Sequence, residues 1–289
     1  MKKKYVFIIL ISMFLMLISI TGTVSAANHT VNPGNSIQSV INNASSNDTI
    51  IVNDNNGSAY TYTENLVINK TLALQAKNGA NITIRALNAS KPVLTVNSGG
   101  SGSVISGFNI KGVTNSTGIF LNSVMNCTIH NNTIYDNNYG VNVFDSSFNN
   151  ITQNMIKRNS YGLYLTTQCI SLEDFCGDEI EWYEEEDYYC YYEYSGIHSD
   201  SQGNIIKGNS FTNNYYGLYL KSDECWSDLS IYDNHVIENN IAGNSYGIFA
   251  EGVYIWASEV AHVHFNRIEN NTLFGIYLNE IGVNATNNW

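Results

Sequence analysis

The chain has 289 residues, with 13 Lys and Arg against 25 Asp and Glu, and its formal net charge is −12. Only 13% of the residues are charged, about half the share typical of soluble domains, whereas 43 are Asn and 2 are Pro. The acidic balance excludes a nucleic-acid groove, which needs clustered Lys and Arg, and the low charge disfavours a coiled coil or a solvated helical bundle.

The N-terminus has the organisation of a secretory signal peptide. Lysines at 2–4 precede an apolar run over 5–20, and Val-Ser-Ala at 24–26 forms a small-residue cleavage site. We expect cleavage after Ala26, with an uncleaved N-terminal anchor as the alternative. No later stretch approaches the ~20 apolar residues of a membrane-spanning helix. The sequence therefore predicts a secreted, extracellular or cell-surface domain over 27–289 without a transmembrane span.

Short elements with one buried face follow the signal peptide. Residues 36–44 place apolar side chains on one helical face, which predicts a short helix that caps the first coil of a solenoid. Short strands are expected after it, at 49–52, 66–68, 72–74, 82–84 and 93–96.

A 22-residue repeat organises the chain from about residue 118. A glycine followed by two alternating apolar residues recurs at Gly118, Gly140, Gly162, Gly217, Gly247 and Gly275. Each repeat holds about three short strands separated by Asn and Gly, which tolerate the left-handed backbone of sharp turns. A unit of this kind closes into one coil of a solenoid. The predicted fold class is therefore all-β: a right-handed parallel β-helix with ~22-residue coils.

Two columns of asparagine are aligned with these glycines, eight and three residues before them. In stacked coils such columns form ladders in which each amide bonds to the next. The predicted structural ladder asparagines are Asn132, Asn154, Asn209 and Asn239, and Asn137, Asn159, Asn214 and Asn244.

Four segments carry a resemblance to known proteins. VNPGNSIQ at 31–38, DTIIV at 48–52 and YTENLVINK at 62–70 resemble the start of NosD-like and pectate-lyase-like right-handed β-helix proteins. VNATNNW at 283–289 resembles a phrase that recurs in adhesin-like surface proteins of methanogenic archaea, where it normally runs on, so we expect a truncated member. The resemblance implies the β-helix fold for nearly all of 27–289, and it leaves the activity open because this coil serves many functions.

Insertions interrupt the repeat at one corner. The spacing between glycines rises from 22 to 55, 30 and 28 residues after Gly162, Gly217 and Gly247, so all three insertions follow the same strand of the coil. Loops on a rigid scaffold often carry binding sites. The insertions should therefore emerge together as a candidate binding surface.

The first insertion, at about 166–195, has an unusual composition. It carries ten of the 25 acidic residues and eight aromatic residues, without Lys or Arg. Aromatic faces suit sugar rings or a protein partner, and carboxylates suit Ca²⁺, although no regular calcium-loop motif is present. The alternative is a solvated acidic loop whose tyrosines pack on the flank of the helix. The predicted ligand contacts are Trp182, Tyr183, Tyr188, Tyr189, Tyr191, Tyr192 and Tyr194.

The cysteines and histidines give further candidates. The first two insertions hold the disulfide candidates, whose pairing the sequence leaves open: Cys169, Cys176, Cys190 and Cys225. Cys127 is expected to be a buried thiol. Aligning neighbouring coils places His235 and His262 in one column, with His264 on the same strand. Three such imidazoles could bind Zn²⁺ or Cu²⁺, and metal-free surface histidines are the alternative.

The sequence favours a binding protein over an enzyme. A polysaccharide lyase needs an Arg or Lys base, for which the regular coils offer Arg158, Lys207 and Arg267, and the acidic charge would repel a uronate polymer. A glycoside hydrolase needs carboxylates that converge on one cleft, and the coils carry few. We therefore predict an adhesin-like surface protein that requires no cofactor and recognises a polysaccharide, another glycan or a protein partner. The alternatives are a polysaccharide-active enzyme and a structural solenoid.

Overall fold

The computed structural model describes residues 25–112, 115–167, 201–222, 231–252, 261–279 and 281–289. These residues form one α-helix, α1 (Ile37–Asn43), a 3₁₀ turn at Ser98–Gly100 and short strands. Up to residue 152 the strands are β1 (Asn28–Val31), β2 (Thr49–Val52), β3 (Tyr60–Thr63), β4 (Leu66–Ile68), β5 (Ala73–Ala76), β6 (Ile82–Arg85), β7 (Leu94–Val96), β8 (Val104–Ser106), β9 (Asn109–Lys111), β10 (Thr117–Asn122), β11 (Thr128–His130), β12 (Thr133–Tyr135), β13 (Tyr139–Phe144) and β14 (Asn150–Thr152). The later strands are β15 (Met155–Lys157), β16 (Tyr161–Thr166), β17 (Ser201–Gln202), β18 (Ile205–Lys207), β19 (Ser210–Thr212), β20 (Tyr216–Ser222), β21 (Ile231–Tyr232), β22 (Asn234–Ile237), β23 (Asn240–Ala242), β24 (Tyr246–Gly252), β25 (Ala261–His264), β26 (Arg267–Glu269), β27 (Phe274–Asn279) and β28 (Val283–Thr286).

The strands stack into three long parallel sheets. Sheet 1 has ten strands in the order β1-β2-β5-β8-β11-β14-β18-β22-β25-β28. Sheets 2 and 3 have eight strands each, in the orders β3-β6-β9-β12-β15-β19-β23-β26 and β4-β7-β10-β13-β16-β20-β24-β27. The chain visits the three sheets in turn, and a short pair, β17 and β21, lies at the corner that leads back to sheet 1. This is the predicted right-handed parallel β-helix, and its helical cap is confirmed as α1.

The core is built from columns of aliphatic side chains. Ile129 lies in register with Ile151, and Ile134 with Ile156, which reproduces the 22-residue repeat as an atomic register. Because the inward residues of each coil stack on those of the next, these four isoleucines have no exposed surface. Burial of these aliphatic columns is the main favourable contribution to the stability of the fold.

Ladders of buried asparagine line the corners. The backbone N–H and the Nδ2 group of Asn154 both donate to Oδ1 of Asn209, at 2.9 and 3.0 Å, and Nδ2 also donates to the carbonyl of Ile129 at 2.8 Å. The same pattern joins Asn132, Asn154, Asn209, Asn239, Asn266 and Asn288 between sheets 1 and 2, and Asn137, Asn159, Asn214, Asn244 and Asn271 between sheets 2 and 3. A ladder that the sequence analysis missed joins Asn149, Asn204 and Asn234 at the third corner.

The residue before each ladder asparagine makes the sharp turn at the corner of the coil. That residue has a left-handed backbone, as in Asn131 with φ 54° before Asn132 and Gly208 with φ 65° before Asn209. The ladder asparagines themselves are not left-handed. The repeated asparagine therefore forms the hydrogen-bonded ladder. The left-handed backbone of the sharp turn is adopted by the residue before it.

The helix α1 covers the N-terminal end of the solenoid. The carboxylate of Glu64 accepts hydrogen bonds from the N–H groups of Ile37 and Gln38, at 2.8 and 3.0 Å, at the positive end of the helix. The amide of Gln38 in turn bonds both backbone groups of Val67 in β4, at 2.7 and 3.1 Å. The side chain thereby satisfies the open edge of sheet 3. Among the described residues, no helix has the length and apolarity needed to cross a membrane.

Candidate functional site

The outer face of sheet 3 carries a column of aromatic rings, one from each of the strands β13, β16, β20, β24 and β27. The residue before the repeated glycine points outward, and its ring stacks on the equivalent ring of the next coil. Centroids of successive rings are 4.8, 5.0, 5.0 and 5.9 Å apart along Tyr139, Tyr161, Tyr216, Tyr246 and Phe274. The rings form a continuous ridge because the strands below them are in register.

A second aromatic column runs beside the first. Its successive centroids are 5.3, 4.9 and 4.9 Å apart along Tyr164, Tyr219, Phe249 and Tyr277. The columns meet edge to face, for example between Tyr161 and Tyr219 at 5.3 Å and 82°. We call this nine-ring surface the aromatic face. Since the ring faces pack against one another, it presents ring edges and hydroxyl groups to solvent.

The phenols of Tyr216 and Tyr219 stay protonated over a wide pH range. Burial, followed by the neighbouring phenols, raises the pKa of Tyr216 to about 12. Burial and a short hydrogen bond from its hydroxyl to Oε1 of Glu251 raise the pKa of Tyr219. No hydrogen bond within the described part of the chain engages the hydroxyls of Tyr161, Tyr216 and Tyr246. They are therefore available as hydrogen-bond donors to a ligand.

The insertions leave from the strands that carry the aromatic face. The strands β16, β20 and β24 end at Thr166, Ser222 and Gly252, shortly before the insertions begin. In the coil that precedes the first insertion, Ser146 follows Asp145 directly, and it donates its N–H to Oγ of Ser201 at 3.1 Å. The two ends of the first insertion therefore lie beside Asp145 and Ser146, which are consecutive residues of the preceding coil.

All of the predicted ligand contacts and disulfide candidates lie outside the described residues. These are Trp182, Tyr183, Tyr188, Tyr189, Tyr191, Tyr192 and Tyr194, and Cys169, Cys176, Cys190 and Cys225. Cys127 is described, and it is a fully buried free thiol, as expected. Burial raises the pKa of this thiol. Its N–H donates to Oδ1 of Asn149 at 2.9 Å, so Cys127 begins the third ladder.

The three histidines lie close together on sheet 1. His235 and His262 are in register with rings 5.0 Å apart, and their Nε2 atoms lie 3.3 and 3.4 Å from Oδ1 of Asp233. The ring of His264 is 6.1 Å from that of His262, and its Nδ1 lies 2.8 Å from Oγ1 of Thr286. In the ranges that the structure describes, no group of three or more His, Cys, Asp or Glu residues is placed to hold a metal ion. Metal binding here stays a prediction.

The three basic residues considered as catalytic lie on different elements and are paired with carboxylates. The pairs are Arg158 with Asp136 at 2.8 Å, Lys207 with Glu238 at 3.2 Å, and Arg267 with Glu269 at 2.6 Å. The hydrogen bond to Asp136 raises the pKa of Arg158, which favours the charged guanidinium. A general base must be unprotonated before it acts, so this pairing disfavours Arg158 in that role.

A separate cleft of about 450 Å³ opens on the outer face of sheet 1, away from the aromatic face. Gln75, Ser106 and His130 lie in register along its floor, and residues 77–80 form a wall that includes Lys77. The cleft is lined mainly by polar groups and small residues. The repeat pattern gives no signal for this cleft, because its wall is an irregular turn outside the repeat.

The aromatic face was also missed as a surface. Its signal was present in the sequence as the aromatic residue that precedes most of the repeated glycines, together with Tyr164, Tyr219, Phe249 and Tyr277 two residues after them. Stacking of the coils brings rings at this 22-residue spacing into contact. These contacts can be predicted only when the register of sheet 3 is known.

Comparisons with known proteins agree with this architecture. A cell surface glycoprotein of Methanothermus fervidus is 37% identical over 131 residues, which are 43% of this chain and 20% of that protein. The chain thus spans about a fifth of that relative's length. An alginate lyase from Paenibacillus sp. str. FPU-7 superposes with a TM-score of 0.50 and 13% identity, over 90% of this chain and 99% of that one. ORF18 of Geobacillus virus E2 gives a TM-score of 0.48 and 14% identity, over 90% and 60% of the two chains.

The likeness to the alginate lyase, at 13% identity, shows the fold alone. The family model described as periplasmic copper-binding protein (NosD) matches residues 19–240 and 168–288, and therefore nearly the whole chain. The chain belongs to the NosD family of parallel β-helix proteins.

Proposed function

We propose that this protein is a cell-surface, adhesin-like β-helix that binds a glycan where the aromatic face meets the insertions. The carrying observation is the nine-ring aromatic face, which stands on the strands from which all three insertions leave. The similarity to a cell surface glycoprotein supports an exported location, and the family description, which names the periplasm, is consistent with export.

The chemistry of this corner suits sugars. Tyrosine hydroxyls on the aromatic face donate hydrogen bonds, and their rings are already held by stacking, so binding costs little side-chain entropy. The first insertion supplies Trp182 and several tyrosines, and aromatic side chains of this kind stack on sugar rings. Its ten acidic residues favour a neutral glycan, because like charges repel an acidic polymer unless Ca²⁺ bridges them.

The family description names copper, but the described residues form no binding site for it. Copper in proteins is held by clustered imidazole and sulfur ligands. The histidine column directs His235 and His262 toward Asp233, and no group of three metal-binding side chains is assembled there or elsewhere in the described ranges. We therefore propose no copper-dependent step.

A polysaccharide array tests the proposed function. The protein that begins at Ala27 is incubated with neutral and acidic polysaccharides, with and without Ca²⁺, and bound protein and newly formed reducing or unsaturated ends are read in the same wells. We expect binding to a neutral glycan without cleavage. Cleavage would instead support the enzyme alternative and direct mutagenesis to Arg158, Lys207 and Arg267.

Matched variants locate the binding surface. Trp182→Ala and the double change Tyr216→Phe with Tyr246→Phe should each weaken glycan binding about tenfold, since the first removes a stacking face and the second removes two hydroxyls but keeps the rings. Lys77→Ala, in the wall of the sheet 1 cleft, should leave affinity unchanged. A reversed pattern, in which only Lys77→Ala weakens binding, would place the site in the cleft and contradict the proposal.

A further inference from the structure

The side chain of Asp48 forms a buried anionic site at the N-terminal end of the solenoid. Only 2% of the surface of Asp48 is exposed. Its two carboxylate oxygens make three short polar contacts. The backbone nitrogen of Ala27 lies 2.7 Å from Oδ1, and the N–H of Ser45 and Nε2 of His29 lie 2.8 and 2.7 Å from Oδ2. The Ala27 contact, followed by the His29 and Ser45 contacts, lowers the pKa of Asp48 to about 2, so the carboxyl is ionised.

In the unprocessed chain, no Lys or Arg is among the described contacts of this carboxylate. Two of its three partners are backbone N–H groups without net charge, and the third, His29, is the one titratable side chain among its contacts in the described residues. A buried carboxylate is costly unless a full opposite charge lies next to it. Ala27 is exposed, so a charge on its nitrogen would keep much of its hydration.

The nitrogen that contacts Oδ1 belongs to the bond at which the sequence predicts signal-peptide cleavage. In the precursor this nitrogen is the amide of the Ala26–Ala27 peptide bond. Hydrolysis by a signal peptidase adds water across that bond. The C–N bond breaks, Ala26 leaves as a carboxylate with the upstream segment, and Ala27 keeps the nitrogen as a protonated amine.

We propose that processing after Ala26 creates an ammonium group that pairs with Asp48 and locks the first coil. The geometry is already in place, because the carbonyl of Ala27 accepts a hydrogen bond from Thr49 at 2.8 Å, which holds the start of β1 against β2. A charge-assisted hydrogen bond is roughly twice as strong as a neutral one. Export and folding are then coupled, since the mature N-terminus is part of the structure.

The test compares two N-termini in two backgrounds. One protein begins at Ala27, released from a fusion that leaves no extra residue, and the other retains Ser25 and Ala26. We expect the unfolding equilibrium constant of the Ala27 protein to be about tenfold smaller at neutral pH, and the difference to vanish when both carry Asp48→Asn. Equal stability of the two wild-type proteins, or a difference that persists with Asp48→Asn, would overturn the proposal.

Two measurements on the unsubstituted protein cover the case in which Asp48→Asn does not fold. The mass of the exported protein should correspond to a first residue at Ala27, and another start site would refute the proposal. NMR titration of the Ala27 amine should give a pKa about one unit above the ordinary 7.7–8.0 of an α-amine. An ordinary value would show that the amine does not pair with Asp48.

Discussion

Gly217→Ala is expected to destabilise the protein by about 4 kcal/mol or more, or to prevent folding. A Cβ atom at this position would lie 2.5 Å from the carbonyl oxygen of Gly247 and 3.1 Å from Cγ2 of Ile241. The oxygen belongs to the backbone of the next coil, which is held by parallel pairing to β20 on one side and to β27 on the other. Because that backbone cannot move without breaking the sheet, the strain has no local relief.

Gly282→Ala is the matched control for this prediction. A Cβ atom there meets no atom of the described residues within 4 Å, and the glycine has no left-handed backbone to lose. The yield of folded protein and the midpoint of chemical denaturation, followed by far-UV circular dichroism, should be unchanged for Gly282→Ala and strongly reduced for Gly217→Ala. Similar midpoints for the two variants would mean that the coils are not packed as tightly as the register implies.

Asn209→Ala is expected to cost about 3–5 kcal/mol of stability. Asn209 is 1% exposed and lies in the middle of the longest ladder. Its loss leaves the N–H and Nδ2 donors of Asn154 without their shared acceptor and removes the donor to the carbonyl of Ile151, which lay 2.7 Å away. Each buried polar group left without a partner costs about 1–3 kcal/mol.

Asn150→Ala separates the ladder from a general effect of losing asparagine. Asn150 lies on β14, is exposed, and should change stability by no more than about 0.5 kcal/mol in protein made without N-glycosylation. Denaturation midpoints of the two variants give the comparison. If Asn209→Ala were as stable as Asn150→Ala, the ladder would not contribute to stability in the way that its hydrogen bonds indicate.

The sequence predicted the fold because a solenoid translates spacing directly into contact. Residues 22 apart, such as Ile129 and Ile151, become neighbours in adjacent coils, so each column in the alignment is a column in the core. The cap was predictable for a related reason, since the apolar positions of 36–44 follow helical periodicity.

The parts that escaped prediction depend on direction and register. The third ladder occupies a column thirteen residues before the repeated glycine, and its earliest position holds Cys127, which hides the pattern. The aromatic face requires knowing that residues on both sides of the glycine, such as Tyr161 and Tyr164, point outward on the same sheet. Ion pairing of Arg158 depends on Asp136, 22 residues earlier, at the same corner.

The sequence indicates where the insertions lie and that they serve recognition, but it does not identify their ligand. Their composition indicates recognition, whereas a ligand is specified by the positions of side chains such as Trp182 and the tyrosines near it, which spacing alone does not provide. The scaffold beneath them is specified by the ladders and the core, and it accepts a 33-residue insertion over 168–200 between positions that are adjacent in the coil before it.

Deleting residues 168–200 tests the central claim most directly. The deletion joins Thr167 to Ser201 and restores the 22-residue spacing, and Cys225→Ser in the deletion protein replaces the one insertion cysteine that would remain without the other three. We predict that circular dichroism and the denaturation midpoint stay those of the parent, while affinity for the glycan found on the array falls at least tenfold. An intact fold with undiminished glycan binding would contradict the assignment of the binding site to the insertion corner.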